Sequence, residues 1–212
     1  MNTSRVVNMN RFFYDGSTIV KNYNIDGIDT SKVTDFKEMF ASARRGNTPK
    51  SPLDFSKINT VNAITLSGMF YNSSFSSIDV SHFDTKNVRH LSDMFKCAEL
   101  NTSHIDLRNW DVSRVDSTSG MFEDARIGRV DIGGWGSHSL HDTSNMFRNA
   151  NISSGLNMVG FDTSNVVDMS GMFSFSNIPN LDLAYLNTSN TKSMRSMFEG
   201  GRYYPSLDLA RF

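Results

Sequence analysis

Apolar residues recur along the chain in a pattern that returns every 25 to 30 residues. Each copy ends in a phenylalanine, and in seven of the eight copies a methionine stands directly before it. In most copies, further apolar residues stand four and seven positions before this phenylalanine. The eight repeat phenylalanines, which define units 1 to 8, are Phe13, Phe40, Phe70, Phe95, Phe122, Phe147, Phe173 and Phe198. A period of this length predicts a repeat protein in which each unit buries its apolar face against its neighbours.

A short helix is the element that this spacing predicts for the end of each unit. Apolar residues at positions i, i+3, i+6 and i+7 form one stripe on a helix surface. The triplet Asp-Thr-Ser precedes the stripe at residues 29–31 and 162–164, and Asn-Thr-Ser precedes it at residues 187–189. Such side chains cap helices because they accept hydrogen bonds from the unpaired N–H groups of the first turn. We therefore predict a helix that begins near the triplet and ends at the repeat phenylalanine.

A second motif lies eight to thirteen residues after each repeat phenylalanine, where an acidic or amide residue stands between two apolar ones. This alternation is typical of a very short strand with its apolar side chains turned inward. One strand and one helix per unit predict an α/β repeat solenoid of the leucine-rich-repeat kind, with eight units of about 26 residues. The parallel strands would line a concave sheet and the wider helices the convex side. We expect a single domain over residues 1–212 that is uncapped at both ends.

Composition and charge narrow the function classes. The 21 basic and 22 acidic residues give a net charge of −1, so no strong field attracts nucleic acid, and no nucleic-acid partner is predicted. No segment is apolar enough to span a membrane, so membrane insertion is not predicted either. The first residues lack the basic and apolar segments of a secretory leader. The single cysteine, Cys97, excludes an intramolecular disulfide.

The segments DTSNVVDMSGMF (162–173) and FDTKNVRHLSDMF (83–95) resemble the repeats of BspA-like leucine-rich-repeat surface proteins, a type that also occurs in mycoplasma lipoproteins. The likeness extends over nearly the whole chain, and residues 73–88 are the nearest match to a full family unit. The resemblance implies a non-enzymatic solenoid that acts as an adhesin or interaction surface on the cell surface. Related repeats also occur in bacteriophage proteins, so the resemblance leaves a virion as the alternative location.

The residues at the centres of the predicted strands form a stripe that would stack in a parallel sheet. Like charges side by side are unfavourable, so we expect each side chain to accept hydrogen bonds from Ser, Thr or backbone N–H groups of a neighbouring unit. Bound Ca²⁺ is the alternative, because it prefers carboxylate oxygens, although no complete calcium loop is present. The two amides favour the first interpretation, since an amide keeps the acceptor and loses the charge. The stripe consists of Asn24, Asp54, Asp79, Asp106, Asp131, Asn157, Asp182 and Asp208.

Sequence motifs of catalysis and cofactor binding are missing. The chain contains no G-x-S-x-G turn, no G-x-G-x-x-G turn and no phosphate-binding loop. His138 and His141 lie three residues apart, but two ligands do not complete a zinc site, and no metal site is predicted. We therefore predict no catalytic residues, no cofactor and no enzymatic activity.

Two connectors carry the candidate interaction residues. The longest connector, ASARRGNTPKSP (41–52), places Arg44, Arg45 and Lys50 among prolines and a glycine. Loops of this kind carry binding in many scaffolds, although a solvated insertion explains the same residues. Tyr203 and Tyr204 are adjacent aromatics, which serve either as interface anchors or as a plug for the last turn.

The pattern as a whole predicts an interaction or adhesion module that binds a protein or a glycan through a repeat surface. The alternative is a structural component of an assembly, such as a bacteriophage tail, baseplate or fibre, with homo-oligomers or larger assemblies formed through the uncapped ends. Ice binding ranks below both, because the threonines are expected at helix caps and not on a flat sheet.

Overall fold

The computed structural model describes residues 2–14, 25, 27–43, 54–75, 77–203 and 208–209. Within them the strands are β1 (Glu99–Asp106), β2 (Arg126–Asp131), β3 (Asn151–Ile152) and β4 (Leu156–Asn157), and a 3-10 helix spans Phe55–Lys57. All four strands belong to one parallel sheet. Strand β2 lies between β1 and β3, and its last residues pair with β4. The sheet therefore occupies only the middle of the chain.

The prediction of an α/β solenoid with one helix and one strand in every unit is wrong. None of the described residues lie in an α-helix, and the segments around the repeat phenylalanines are chains of turns. Strands cover the acid-centred motif in the middle of the chain, at Asp106, Asp131 and Asn157. At residues 78–80 and 181–183 the same motif is not a strand. The regular elements that the pattern predicted in each unit are thus replaced mostly by turns.

Backbone hydrogen bonds show why a helix does not form in these segments. In unit 2 the N–H group of Met39 closes a turn onto the carbonyl group of Phe36, at 3.1 Å. The N–H group of the preceding residue, Glu38, donates instead to the carbonyl group of Ser67 in unit 3, at 3.0 Å. The same alternation continues along the segment and recurs in units 1 to 7. An α-helix needs all of these N–H groups for its own carbonyls, so hydrogen bonds to the next unit replace the helix.

In the segments around the repeat phenylalanines, left-handed residues stand at two fixed positions, two residues before and two residues after the phenylalanine. Their φ angles lie between 52° and 64°. Glycine, asparagine and aspartate tolerate this conformation and occupy most of these positions, as at Asp93, Gly120 and Asn145. Two left-handed residues four positions apart in one segment rule out a continuous right-handed helix there. The recurrence of these residue types was the signal in the sequence that distinguishes turns from a helix.

The turns bury the residues that a helix would have buried. In unit 2 the side chains of Phe36, Met39, Phe40 and Ala43 all lie in the core, at the spacing i, i+3, i+4 and i+7. The repeat phenylalanines stack from unit to unit, as the ring centroids of Phe122 and Phe147 do at 5.3 Å. Apolar spacing therefore identifies the core residues but not the backbone that carries them.

The Asp-Thr-Ser triplets begin turns and not helices. The carboxylate of Asp162 accepts a hydrogen bond from the N–H group of Ser164 at 2.9 Å, which forms an Asx turn. The buried hydroxyl of Thr163 donates to the carbonyl group of Asn187 at 2.9 Å and accepts from the N–H group of the same residue at 2.8 Å. The threonine thus fastens its own unit to the equivalent triplet of the next unit.

Candidate functional site

Two ladders of parallel bridges join equivalent positions in successive units. The first ladder joins the residues five positions before the repeat phenylalanines: Asn8, Asp35, Thr65, His90, Ser117, Asp142, Asp168 and Ser193. The second ladder joins the residues four positions after them: Ser74, Glu99, Arg126, Asn151, Asn177 and Arg202. Both ladders place one mostly polar side chain per unit at the surface, at the strand spacing of about 4.8 Å. The two ladders are therefore the repeated surfaces to which a ligand could bind.

Side chains along the first ladder bond within the protein, to groups two residues further on and to side chains of neighbouring units. The hydroxyl of Ser117 lies 3.1 Å from the hydroxyl of Ser92 and donates to the carboxylate of Asp142 at 3.2 Å. The hydroxyl groups of Ser170 and Ser193 are 2.6 Å apart. These contacts link units to each other along the stack. The hydrogen-bonding capacity of the first ladder is thus largely used inside the protein.

A cleft follows the second ladder. One part has a volume of about 500 Å³ and is lined by Asn72, Glu99, Asp124, Arg126, Asn149 and Asn151, together with Cys97. The neighbouring part has a volume of about 380 Å³, and its lining includes Asn149, Asn151, Phe175, Asn177 and Arg202. Because Asn149 and Asn151 line both parts, the two form one continuous surface, which we call the amide cleft.

Turn geometry and the ladder together position the amide side chains. Asn149 is left-handed, with φ of 52°, and its side-chain amide donates to the carboxylate of Asp124 at 2.6 Å. The side-chain amide of Asn177 donates to the side-chain oxygen of Asn151 at 3.0 Å. Each of these bonds crosses from one unit to the next, so the amides are held in order along the cleft. An asparagine side chain both donates and accepts hydrogen bonds. Hydrogen-bond donors and acceptors therefore recur along the cleft from unit to unit.

Two arginines of the cleft are exposed. Among the residues that the structure describes, neither Arg126 nor Arg202 has a carboxylate within ion-pair distance. The contrast is with the buried Glu123, which is paired with Lys96 and Arg148, each at 2.9 Å. The amide cleft therefore carries positive groups that the described part of the protein does not neutralise directly.

Phe175 is an aromatic side chain on the rim of the amide cleft. Its φ is 55°, and 48% of its surface is exposed. The ring lies against Gly200, where an added Cβ would meet two ring carbons at 2.5 Å. The absence of a side chain at Gly200 thus creates the seat for the ring.

Cys97 gives the cleft little nucleophilic reactivity. Burial raises the pKa of its thiol above the ordinary value, and nearby Asp124 acts in the same direction. A thiolate is the reactive form of cysteine, so this environment disfavours covalent chemistry at that position. Groups of three or more His, Cys, Asp or Glu side chains suited to a metal ion do not occur in the described part of the chain.

The predicted acidic and amide stripe lies outside the amide cleft, and several of its acceptors are used within their own unit. The side chains of Asp54, Asp79 and Asp182 accept hydrogen bonds from backbone N–H groups two residues further on, at 3.0, 3.0 and 2.9 Å. The hydrogen bonds from Ser81 hold the pKa of Asp79 below its ordinary value. At these three positions the donors come from the same unit and not, as predicted, from a neighbouring one.

The stripe is most tightly packed at the end of β1 and β2, where Asp106 pairs with Asp131. Arg108 lies 2.7 Å from Asp106 and 3.5 Å from Asp131, so one guanidinium offsets two adjacent carboxylates. Its hydrogen bond is the main reason that the pKa of Asp106 falls to about 2. The buried Asp131 also accepts a hydrogen bond from the amide of Asn157, at 2.8 Å. This arrangement links three units and serves the stability of the sheet.

The remaining predicted site residues do not come together in one place. Tyr203 is half-buried, its ring packs edge-on against Phe198, and its hydroxyl donates to the carbonyl group of Phe173. Burial raises the pKa of this hydroxyl. Asp208 is exposed. Asn24, Arg44, Arg45, Lys50 and Tyr204 lie outside the described residues.

The amide cleft was missed at the sequence level because its residues belong to connectors that vary from unit to unit. One signal was present. The position two residues after the repeat phenylalanine carries small or polar side chains in the other units, and Phe175 is the exception. This position is otherwise filled by Ser, Asn, Cys, Asp and Gly. An aromatic residue there breaks the repeat pattern and indicates a local difference in the surface.

The sequence of this repeat protein matches a known protein family. The family model described as "Mycoplasma protein of unknown function, DUF285" matches residues 1–64, 50–159 and 131–208. The chain belongs to this family. Comparisons with curated proteins and with solved structures gave no significant match. Within the described residues, no helix has the length and apolar character needed to cross a membrane.

Proposed function

We propose that this protein is a non-enzymatic interaction module that binds a glycan along the amide cleft. The observation that carries the proposal is the continuous surface of amide, arginine and carboxylate side chains that follows the second ladder past Phe175. The resemblance of the repeat sequences to those of BspA-like surface proteins supports an interaction module as the class of function.

A glycan suits the cleft better than a protein does. Protein interfaces are built around an apolar core from which charged residues are depleted, whereas this cleft is lined mainly by amide and charged side chains. Sugar hydroxyls both donate and accept hydrogen bonds, as do the side chains of Asn149, Asn151 and Asn177. The unit spacing of about 4.8 Å is close to the length of one sugar residue in an extended chain. Successive units can thus contact successive sugars.

Glycan-array binding of the full chain tests this proposal. We expect binding to a subset of glycans, and we expect Asn151→Ala to weaken it about tenfold, which is the effect of losing one or two hydrogen bonds. His141→Ala is the matched control, because His141 is exposed beside the first ladder and should leave binding unchanged. Absence of binding to any glycan, or equal loss in both variants, would show that the cleft is not a glycan site.

A further inference from the structure

The backbone at Phe175 is unfavourable for an aromatic residue. Large side chains rarely adopt the left-handed conformation, and the equivalent left-handed residues in other units include Asn72, Asp124 and Asn149. Burial does not compensate, since 48% of the Phe175 surface is exposed. Side chains held in such conformations cluster at binding sites. The ring is thus better explained by what it contacts outside the protein than by the packing of the stack.

Gly200 supports the ring from below. A Cβ at this position would lie 2.5 Å from two carbons of the Phe175 ring, so the ring rests directly on the glycine backbone. A supported, half-exposed ring is the kind of platform on which the C–H groups of a sugar ring stack. Aromatic surfaces with a few well-placed polar groups are characteristic of ligand sites in general.

Polar groups surround this platform. The side chains of Asn149, Asn177 and Arg202 line the same part of the cleft as Phe175. One contact holds each of the last two: the Asn177 amide donates to Asn151 at 3.0 Å, and the backbone N–H group of Arg202 donates to the carbonyl group of Ser176 at 2.7 Å. Arg202 is the charged residue among those that line this part. A guanidinium binds carboxylates through two parallel hydrogen bonds.

We infer that Phe175, Asn177 and Arg202 form a subsite for a sugar residue that carries a carboxylate. In this subsite the sugar ring stacks on Phe175, its hydroxyl groups bond to Asn177, and its carboxylate pairs with Arg202. The inference rests on the proposed glycan function and names the class of glycan. Charge along the cleft agrees with it, because Glu99 and Asp124 outnumber the single arginine that lines the other part, whereas the described residues that line the part with Arg202 include no carboxylate. The acidic sugar therefore belongs at the Arg202 end.

Phe175→Asn tests the platform without damaging the fold. Asn149 already has this conformation at the equivalent position, so the variant should be as stable as the wild type or more stable. We expect its affinity for the glycans that the wild type binds to fall about tenfold or more. Phe175→Tyr, which keeps a flat ring, should retain binding. Full affinity in Phe175→Asn would overturn the subsite.

Arg202→Gln tests the charge. The probes are carboxylated glycans on an array, each paired with its methyl ester, which has the same sugar chain and no negative charge. The wild type should bind the acids about tenfold or more tightly than the esters, and Arg202→Gln should lose this preference. Arg195→Gln is the matched control, because it removes an exposed arginine that lies beside the first ladder and outside the cleft. It should keep the preference.

The outcomes separate the inference from the function on which it rests. Binding of acids and esters with equal affinity would overturn the acidic subsite and leave the glycan function standing. Binding to no glycan at all would overturn both. An equal loss of preference in Arg202→Gln and Arg195→Gln would indicate a general charge effect and would also overturn the subsite.

Discussion

The two ladders share one backbone arrangement and use their side chains in opposite ways. Each joins equivalent positions of successive units through parallel bridges. Along the first ladder, serine hydroxyls and aspartate carboxylates bond from unit to unit, as at Ser92, Ser117 and Asp142. Along the second ladder, amides bond to one another but the exposed Arg126 and Arg202 have no carboxylate partner among the described residues.

The difference shows that one repeated backbone can present two surfaces whose side chains have different capacity to bond an outside partner. Net gain from a hydrogen bond within the protein is modest, but a group that is already bonded has less capacity for an outside partner. The first ladder therefore strengthens the stack, whereas the second keeps unused donors in a cleft. In a repeat protein the distribution of satisfied and unsatisfied side chains, and not the fold, selects the functional face.

The largest expected effect on stability comes from a substitution in the core beneath both ladders. Phe173 is fully buried, and its ring stacks between Phe147 at 5.6 Å and Phe198 at 5.8 Å. Phe173→Ala should lower the free energy of unfolding by about 3–5 kcal/mol, through lost burial and the cavity that remains. Urea unfolding measures this loss.

Phe175→Ala is the control for that experiment, since Phe175 lies two residues further on and is half-exposed. It should change the free energy of unfolding by no more than about 0.5 kcal/mol, as is usual for surface positions. Equal losses in the two variants would mean that the exposed ring is a structural residue, and the contrast between a core ring and a ligand-facing ring would fail.

Sequence periodicity predicted the core more successfully than the backbone. The apolar positions around Phe36 and Phe40 were identified because burial depends on which side chains are apolar, whatever the backbone. The helix prediction was wrong because turns with two left-handed residues four positions apart place apolar side chains at helical spacing. The glycines at positions 68, 120 and 171 argued against a helix, since a glycine inside a helix costs roughly 1 kcal/mol of stability relative to alanine.

A second comparison concerns the threonines that connect the triplets. Thr163 donates to and accepts from the backbone of Asn187, whereas the equally buried hydroxyl of Thr85 has no hydrogen-bond partner among the residues that the structure describes. Thr163→Val should cost about 1–3 kcal/mol, because it leaves a buried backbone group unsatisfied. Thr85→Val should leave stability unchanged or raise it, since it removes an unsatisfied polar atom.

Thermal or urea unfolding of the two valine variants checks this pair. Similar losses at both positions would show that Thr85 is satisfied in solution. They would also weaken the general point that identical repeat positions differ in how well their polar groups are bonded.

The left-handed positions allow a third comparison, with a smaller expected effect. Gly120 has φ of 62°, and an added Cβ would lie 2.5 Å from a carboxylate oxygen of Asp93. Gly120→Ala should cost about 1–2 kcal/mol, the usual penalty for a left-handed residue with a Cβ. Gly136 is the control, because nothing lies within 4 Å of its added Cβ. Gly136→Ala should be neutral or stabilising by about 0.4–1 kcal/mol; equal behaviour at the two sites would contradict the turn geometry beside the first ladder.

The candidate site was harder to predict than the core, for a physical reason. The amide cleft combines residues such as Asp124, Asn149 and Phe175, which come from different units and become neighbours only after the units stack. Their types vary between copies, so no motif marks them within one unit. The acidic and amide stripe was visible in the sequence because it recurs, yet that regularity reflects local turns such as the one that Asp182 makes with Ala184.

The smallest expected effect concerns pH and the carboxylate pair that lies along β1 and β2, beyond the second ladder. Arg108 lowers the pKa of Asp106 from 3.8 to about 2. In the pH range between these two values, the carboxylate therefore stays deprotonated in the folded state but binds a proton in the unfolded chain. The stabilisation is fully present above the unfolded pKa of 3.8 and is lost as pH falls through the folded pKa of about 2. Because the Arg108 and Asp106 side chains are 56% and 27% exposed, solvent screens the pair, and the effect should be smaller than that of the glycine variants.

Urea unfolding at about pH 6 and about pH 3 measures this contribution. Arg108→Gln should reduce the loss of stability between the two pH values, because Asp106 then titrates closer to its ordinary pKa in both states. Arg89→Gln is the control, as Arg89 is an exposed arginine beside the first ladder, and it should leave the pH dependence unchanged. If Arg108→Gln kept the full acid sensitivity, the carboxylates of the stripe would be stabilised by their backbone hydrogen bonds alone. The ion pairs that Arg108 makes near β1 and β2 would then add little to the stability of the stack.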